Sequence, residues 1–290
     1  MIWWIITVFL DSIDEITRQK SLTLSKNLNK WFFNFLWFCW GLVLALILMF
    51  LWLLNFDERP ILFSTPIILI LLIIMVGINL IISPLWQIVY KREKISAIMP
   101  YQKISSLLII IVSFFWRRGV SRFSFITTIF LLILLVITWI DFKNFSSPSK
   151  KWLIFLIQWL EFADQLITIY LVKSISETFY YVSYVIFWII AITLFLSIYF
   201  WTKSFSILKK QSITFYKYRF ASSFTGFWSW LISLFLIKNL WPVITFLLWF
   251  LGLWATLLMS YIFQKDVPEK KDVILASIVT LLVWLAYWFK

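Results

Sequence analysis

Histidine is missing from this chain altogether. Imidazole proton relays, His-ligated haem and most transition-metal sites are thereby excluded. Cysteine is nearly missing too. The single Cys39 stands inside an apolar run, so an internal disulfide is impossible and a small buried hydrophobe is the expected role. Glycine is scarce, with five residues, and 13 acids stand against 26 bases. No Gly-x-x-x-x-Gly-Lys-Ser/Thr pattern occurs, which argues against nucleotide hydrolysis as an energy source. The N-terminus has neither a basic n-region nor a small-residue cleavage pattern and reads as a retained first helix. Neither a cofactor nor a metal is expected, and with no nucleophile constellation an enzyme is the poorest of the readings.

Apolar sequence dominates instead. Hydrophobic residues make up 63% of the chain and charged ones 13%, and the mean hydropathy is +0.95. A soluble globule would expose far more apolar surface than water tolerates, whereas a bundle of spanning helices requires it. The chain reads as an all-α integral membrane protein in a lipid bilayer. Its net charge of +13 is spread as short Lys/Arg clusters between apolar runs, so the bases are topology signals and no nucleic-acid partner is expected.

Apolar stretches of membrane length can be marked off at roughly 1–20, 31–54, 63–90, 96–116, 121–140, 152–172, 178–202, 216–237, 241–263 and 272–289. Ten transmembrane helices fall into two five-helix repeats, 1–145 and 146–290, joined by the polar linker Asp141–Lys151. Five is odd, so the second repeat enters the membrane in the opposite sense. The expected architecture is a pair of inverted-topology repeats with a site at their interface.

Tyr90-Lys-Arg-Glu-Lys-Ile-Ser-Ala-Ile-Met-Pro100 leads into the fourth stretch and Lys238-Asn-Leu-Trp-Pro242 into the ninth. With ten short helices in two halves, these charged turns and prolines resemble the EamA-type transporters of the drug/metabolite transporter superfamily. In that family an acid often follows the fourth and ninth helices. Asp266 fits the second position, whereas the first reads Arg117-Arg118-Gly119. The resemblance covers nearly the whole chain and implies transport of a small molecule. Trp139, Trp241 and Trp284 stand where that family tends to have a small residue. One hypothesis for the 20 tryptophans is a codon that the source organism reads as glycine; native mass would test it.

The functional argument rests on acids. Asp11, Asp14 and Glu15 recur 150 residues later as Glu161, Asp164 and Gln165. With Thr7 and Arg18 on the first helix, and Thr168 on the sixth, each set forms one polar stripe at helical spacing. A carboxylate at the bilayer centre costs roughly 2.5–3.5 kcal/mol, so such stripes should face a wet cavity or the other half. The bland alternative for the first helix is an intrahelical Asp14–Arg18 pair near the membrane edge. Asn79 and Lys103 complete the candidate substrate- or proton-binding set of Asp11, Asp14, Glu15, Glu161, Asp164 and Gln165. Lys103 could instead snorkel to the interface. Gln87, Lys217 and Arg219 are weaker candidates, better read as inter-helix or interfacial groups.

Of the 26 basic residues, 18 fall in the odd-numbered loops and seven in the even loops and C-terminus. The positive-inside rule then puts both termini outside a multi-pass cell membrane. EamA-type proteins usually have theirs inside. The expected function is a secondary transporter of a small polar or amphipathic metabolite, such as an amino acid or amine, working by alternating access with proton coupling as a refinement. It would act as a monomer or homodimer. The alternative is a non-catalytic structural subunit of a membrane complex, which would have a filled centre and acids on its outer surface.

Overall fold

The computed structural model describes residues 2–25, 28, 30–50, 66–91, 98, 101–102, 104–115, 122–140, 148–195, 198–239, 252–265, 267–268 and 270–288. Eleven helices occur among them: α1 (Ile2–Leu24), α2 (Lys30–Phe50), α3 (Pro66–Tyr90), α4 (Ile104–Phe115), α5 (Arg122–Ile140), α6 (Pro148–Ser174), α7 (Glu177–Phe195), α8 (Ile198–Leu208), α9 (Ile213–Asn239), α10 (Gly252–Gln264) and α11 (Lys270–Trp288). Four described helical spans, in α2, α3, α6 and α9, are long and apolar enough to cross a membrane. The all-α membrane class therefore stands.

The helix count differs from the expected ten. The apolar stretch expected as one helix over 178–202 is described as α7 and α8, with α8 running past Lys203 to Leu208 and residues 196–197 lying outside the described residues. The half-linker also ends earlier than expected, because α6 begins at Pro148, whose fixed φ and missing N–H suit the first helical position.

Local chemistry explains several helix ends. Ser212 Oγ accepts from Phe215 N at 3.2 Å, and Ser176 Oγ from Phe179 N at 3.3 Å; each satisfies an amide that the first turn leaves open. Pro84 lies inside α3 and has no N–H for the carbonyl of Leu80. Trp31 Nε1, on α2, donates to that carbonyl at 3.2 Å, the kind of substitute partner a helix in hydrocarbon requires.

The packing is built on crossings between early and late helices. α1 lies most extensively against α9 and also against α10, while α3 packs on α6 and α4 on α6. α2 meets both α7 and α9, α3 meets α7, and α5 meets α11. Buried apolar side chains of these helices join into one large core. The opposite face of α3 exposes Ile67, Ile70, Ile73, Ile74 and Ile81, an apolar surface suited to lipid.

Candidate functional site

A cavity of about 350 Å³ opens where α1, α3, α6 and α9 converge. Asp11, Asp14, Glu15 and Arg18 of α1 line it together with Glu161, Asp164 and Gln165 of α6 and Asn79 of α3. Every residue of the candidate substrate- or proton-binding set is thus brought to one place except Lys103, which lies outside the described residues, as does Asp266. A second cavity of about 210 Å³ shares Arg18, Asn79 and Asp164 and extends to Thr168, Tyr180 and Tyr184.

Asp14 is held from two helices. Arg18 Nη2 donates to its Oδ2 at 2.8 Å and Ser222 Oγ to its Oδ1 at 2.5 Å. The intrahelical pair is therefore present, but inside the protein: the Asp14 side chain is 6% exposed and that of Arg18 30%. Gly226 makes room for it. A Cβ on Gly226 would stand 2.6 Å from Trp37 and 3.0 Å from the Asp14 carboxyl group. The Arg18 guanidinium also sits 5.6 Å from the centre of the Trp37 ring, within cation–π range.

In the second acid set, Asp164 and Glu161 accept from neutral donors among the described residues. Asn79 Nδ2 donates to Asp164 at 2.6 Å. Glu161 accepts from Trp86 Nε1 at 2.5 Å and from Gln158 Nε2 at 2.7 Å. Gln158 is held in turn, because its Oε1 accepts the Ser105 amide at 3.0 Å. Gln165 Nε2 donates to Ser105 Oγ at 3.2 Å. Toward the end of α3, Trp86 stacks on Tyr90, and Tyr90 OH accepts from Gln102 Nε2 at 2.6 Å. Gln87 also lines the cavity and donates to the Lys30 carbonyl at 2.9 Å.

The weaker basic candidates lie elsewhere. Lys217 is exposed at the start of α9. Arg219 is 2% exposed, stacks over the Phe33 ring at 3.8 Å and donates to the Phe33 carbonyl at 2.8 Å, without lining the cavity. Sequence reasoning missed the wall of α9. Ser222, Gly226, Ser229 and Ser233 follow at steps of four, three and four, the spacing of one helix face. This small-residue stripe, in a chain so poor in glycine, was the available signal.

The lining residues correspond across the chain. Asp11, Asp14 and Glu15 stand 150 residues before Glu161, Asp164 and Gln165, and Asn79, Ile82, Ser83 and Trp86 stand 147 before Gly226, Ser229, Trp230 and Ser233; all line the one cavity. Fold and site together define a class: an all-α protein, with helices of membrane length, whose acids converge on an internal polar cavity. No protein-family model matches the chain, and no curated protein does.

Proposed function

We propose that the chain is a secondary transporter that carries a small polar or amphipathic metabolite across the cell membrane by alternating access between two inverted five-helix repeats. The observation that carries this reading is the cavity between the halves with both acid stripes on its wall. A structural subunit would require a filled centre and outward-facing acids. An acid-lined internal cavity is what a transport path requires, because carboxyl groups at membrane depth are tolerated where they face water or partners.

The packing supports the repeat. Exchanging α1 to α5 for α6, α7, α9, α10 and α11 turns the α1–α9 contact into α6–α3, α1–α10 into α6–α4 and α2–α9 into α7–α3. The α2–α7 and α5–α11 contacts map onto themselves. Even the acids follow, since Asp14 lies against Gly226 as Asp164 lies against Asn79. In this assignment most of the first-repeat residues corresponding to α8 fall in 51–65, outside the described residues. The fold would then be an EamA-like arrangement.

Alternation needs one end closed while the other is open. Gln87 and Tyr90 line the cavity, whereas their counterparts 147 residues on, Leu234 and Ile237, are buried in apolar packing. Exchange of these environments is the conformational step we propose, with Glu161 and Asp164, and Asp11 and Asp14 opposite, carrying protons or a cationic group. Substrate-dependent proton flux in proteoliposomes, across amino acids, amines, nucleosides and sugars, tests it. Flux is expected with the native chain and is expected to be lost in Glu161→Gln and Asp164→Asn. Folded protein with neither flux nor uptake would sink the transporter reading.

A further inference from the structure

We infer that the cavity selects a small primary ammonium cation with an apolar body, an inference that rests on the transporter reading and names its substrate class. Five carboxyl groups, Asp11, Asp14, Glu15, Glu161 and Asp164, line the space, and Arg18 is the only basic residue among the described lining residues. Opposite charge within the low-dielectric wall of a protein is worth far more than in water, so this imbalance favours a cation.

Hydrogen bonding narrows the class. Gln102, a residue of the cavity wall, is 8% exposed, and its buried Oε1 has no hydrogen-bond partner among the described residues; the buried Oε1 of Gln165, on the same wall, has none either. Both are acceptors, and a buried acceptor left unpaired costs about 1–3 kcal/mol. A ligand with N–H donors removes that penalty. Asp164 adds a third acceptor, with the neutral Asn79 as its hydrogen-bond partner. An alkylammonium carries three donors, whereas a quaternary ammonium carries none.

Metal ions fit poorly, because among the described residues no three carboxyl or thiol groups converge as ligands would. Trp37, Trp86 and Trp230 supply faces for an apolar body and for cation–π contact. A volume of about 350 Å³ is at the small end of ligand pockets.

The test separates binding from transport. Calorimetric titration of the purified full chain uses butylamine, 1,4-diaminobutane and 2-phenylethylamine, with the N-trimethyl form of the last, 2-phenylethanol and phenylacetate as comparators. Protonated primary amines are expected to bind at least about tenfold more tightly than the trimethylated and neutral comparators, the equivalent of one charge-assisted hydrogen bond. Asp164→Asn and, independently, Gln165→Met should each weaken amine binding by about tenfold, while Asp164→Glu retains it. Equal or tighter binding of phenylacetate, 2-phenylethanol or the trimethyl form, or no amine binding by folded protein, overturns the inference. Amine binding without uptake into proteoliposomes would support the site and sink the transporter reading. Uptake confined to neutral or anionic solutes would do the reverse.

Discussion

At the scale of single residues, the site depends on one glycine as much as on its acids. Gly226 lets α9 approach α1 closely enough for Ser222 to reach Asp14, and no side chain fits there without moving Trp37 or the carboxyl group. Gly226→Ala should therefore cost about 1–3 kcal/mol, as overpacking does, and lower the thermal midpoint in detergent. Gly77, inside α3, has nothing within 4 Å of its would-be Cβ, so Gly77→Ala should hold or raise that midpoint, as removing a helix-interior glycine does. Equal midpoints for the two variants would mean that α1 and α9 do not close around Asp14 as described.

At the scale of elements, α8 has a place that hydropathy alone does not reveal. Eleven residues extend about 16 Å, half of a bilayer core. We predict that both of its ends lie on one side of the membrane. Its outer face carries exposed Thr202 and Lys203, and Lys209 and Lys210 follow in the turn, as in a helix lying at the interface. In a Cys39→Ala background, Thr202→Cys, Lys209→Cys and Lys217→Cys should react with an impermeant maleimide from the same side. Labelling of Thr202→Cys from the opposite side would make α8 part of a spanning segment.

Over the whole molecule, the loop charges and the proposed inversion make one joint prediction. Lys91→Cys and Lys209→Cys should label only after the cytoplasmic face is exposed, while Lys173→Cys and Asn239→Cys should label in intact cells. All four positions are exposed at helix ends. The reverse pattern would place the termini inside, as EamA-type proteins usually have them. A mixed pattern would break the inversion itself, and with it the alternating-access mechanism.

The helical class, the acid stripes and most helix positions were legible in the sequence because hydropathy and helical spacing are local properties. Asp11, Asp14, Glu161 and Asp164 announced themselves as charges in apolar runs, and the 150-residue offset foretold that they belong together. Their differing roles could not be read that way. The Asp14–Arg18 pair follows from helical spacing, but whether Asp14 also meets Ser222 while Asp164 meets Asn79 depends on how α1 crosses α9 and how α3 crosses α6. The Trp31 bond to the Leu80 carbonyl and the unpaired acceptors of Gln102 and Gln165 likewise appear only in the folded chain. Composition and periodicity determine which face of a helix avoids lipid; only tertiary packing determines which partner that face meets, because distant side chains acquire distances to one another only when the chain folds.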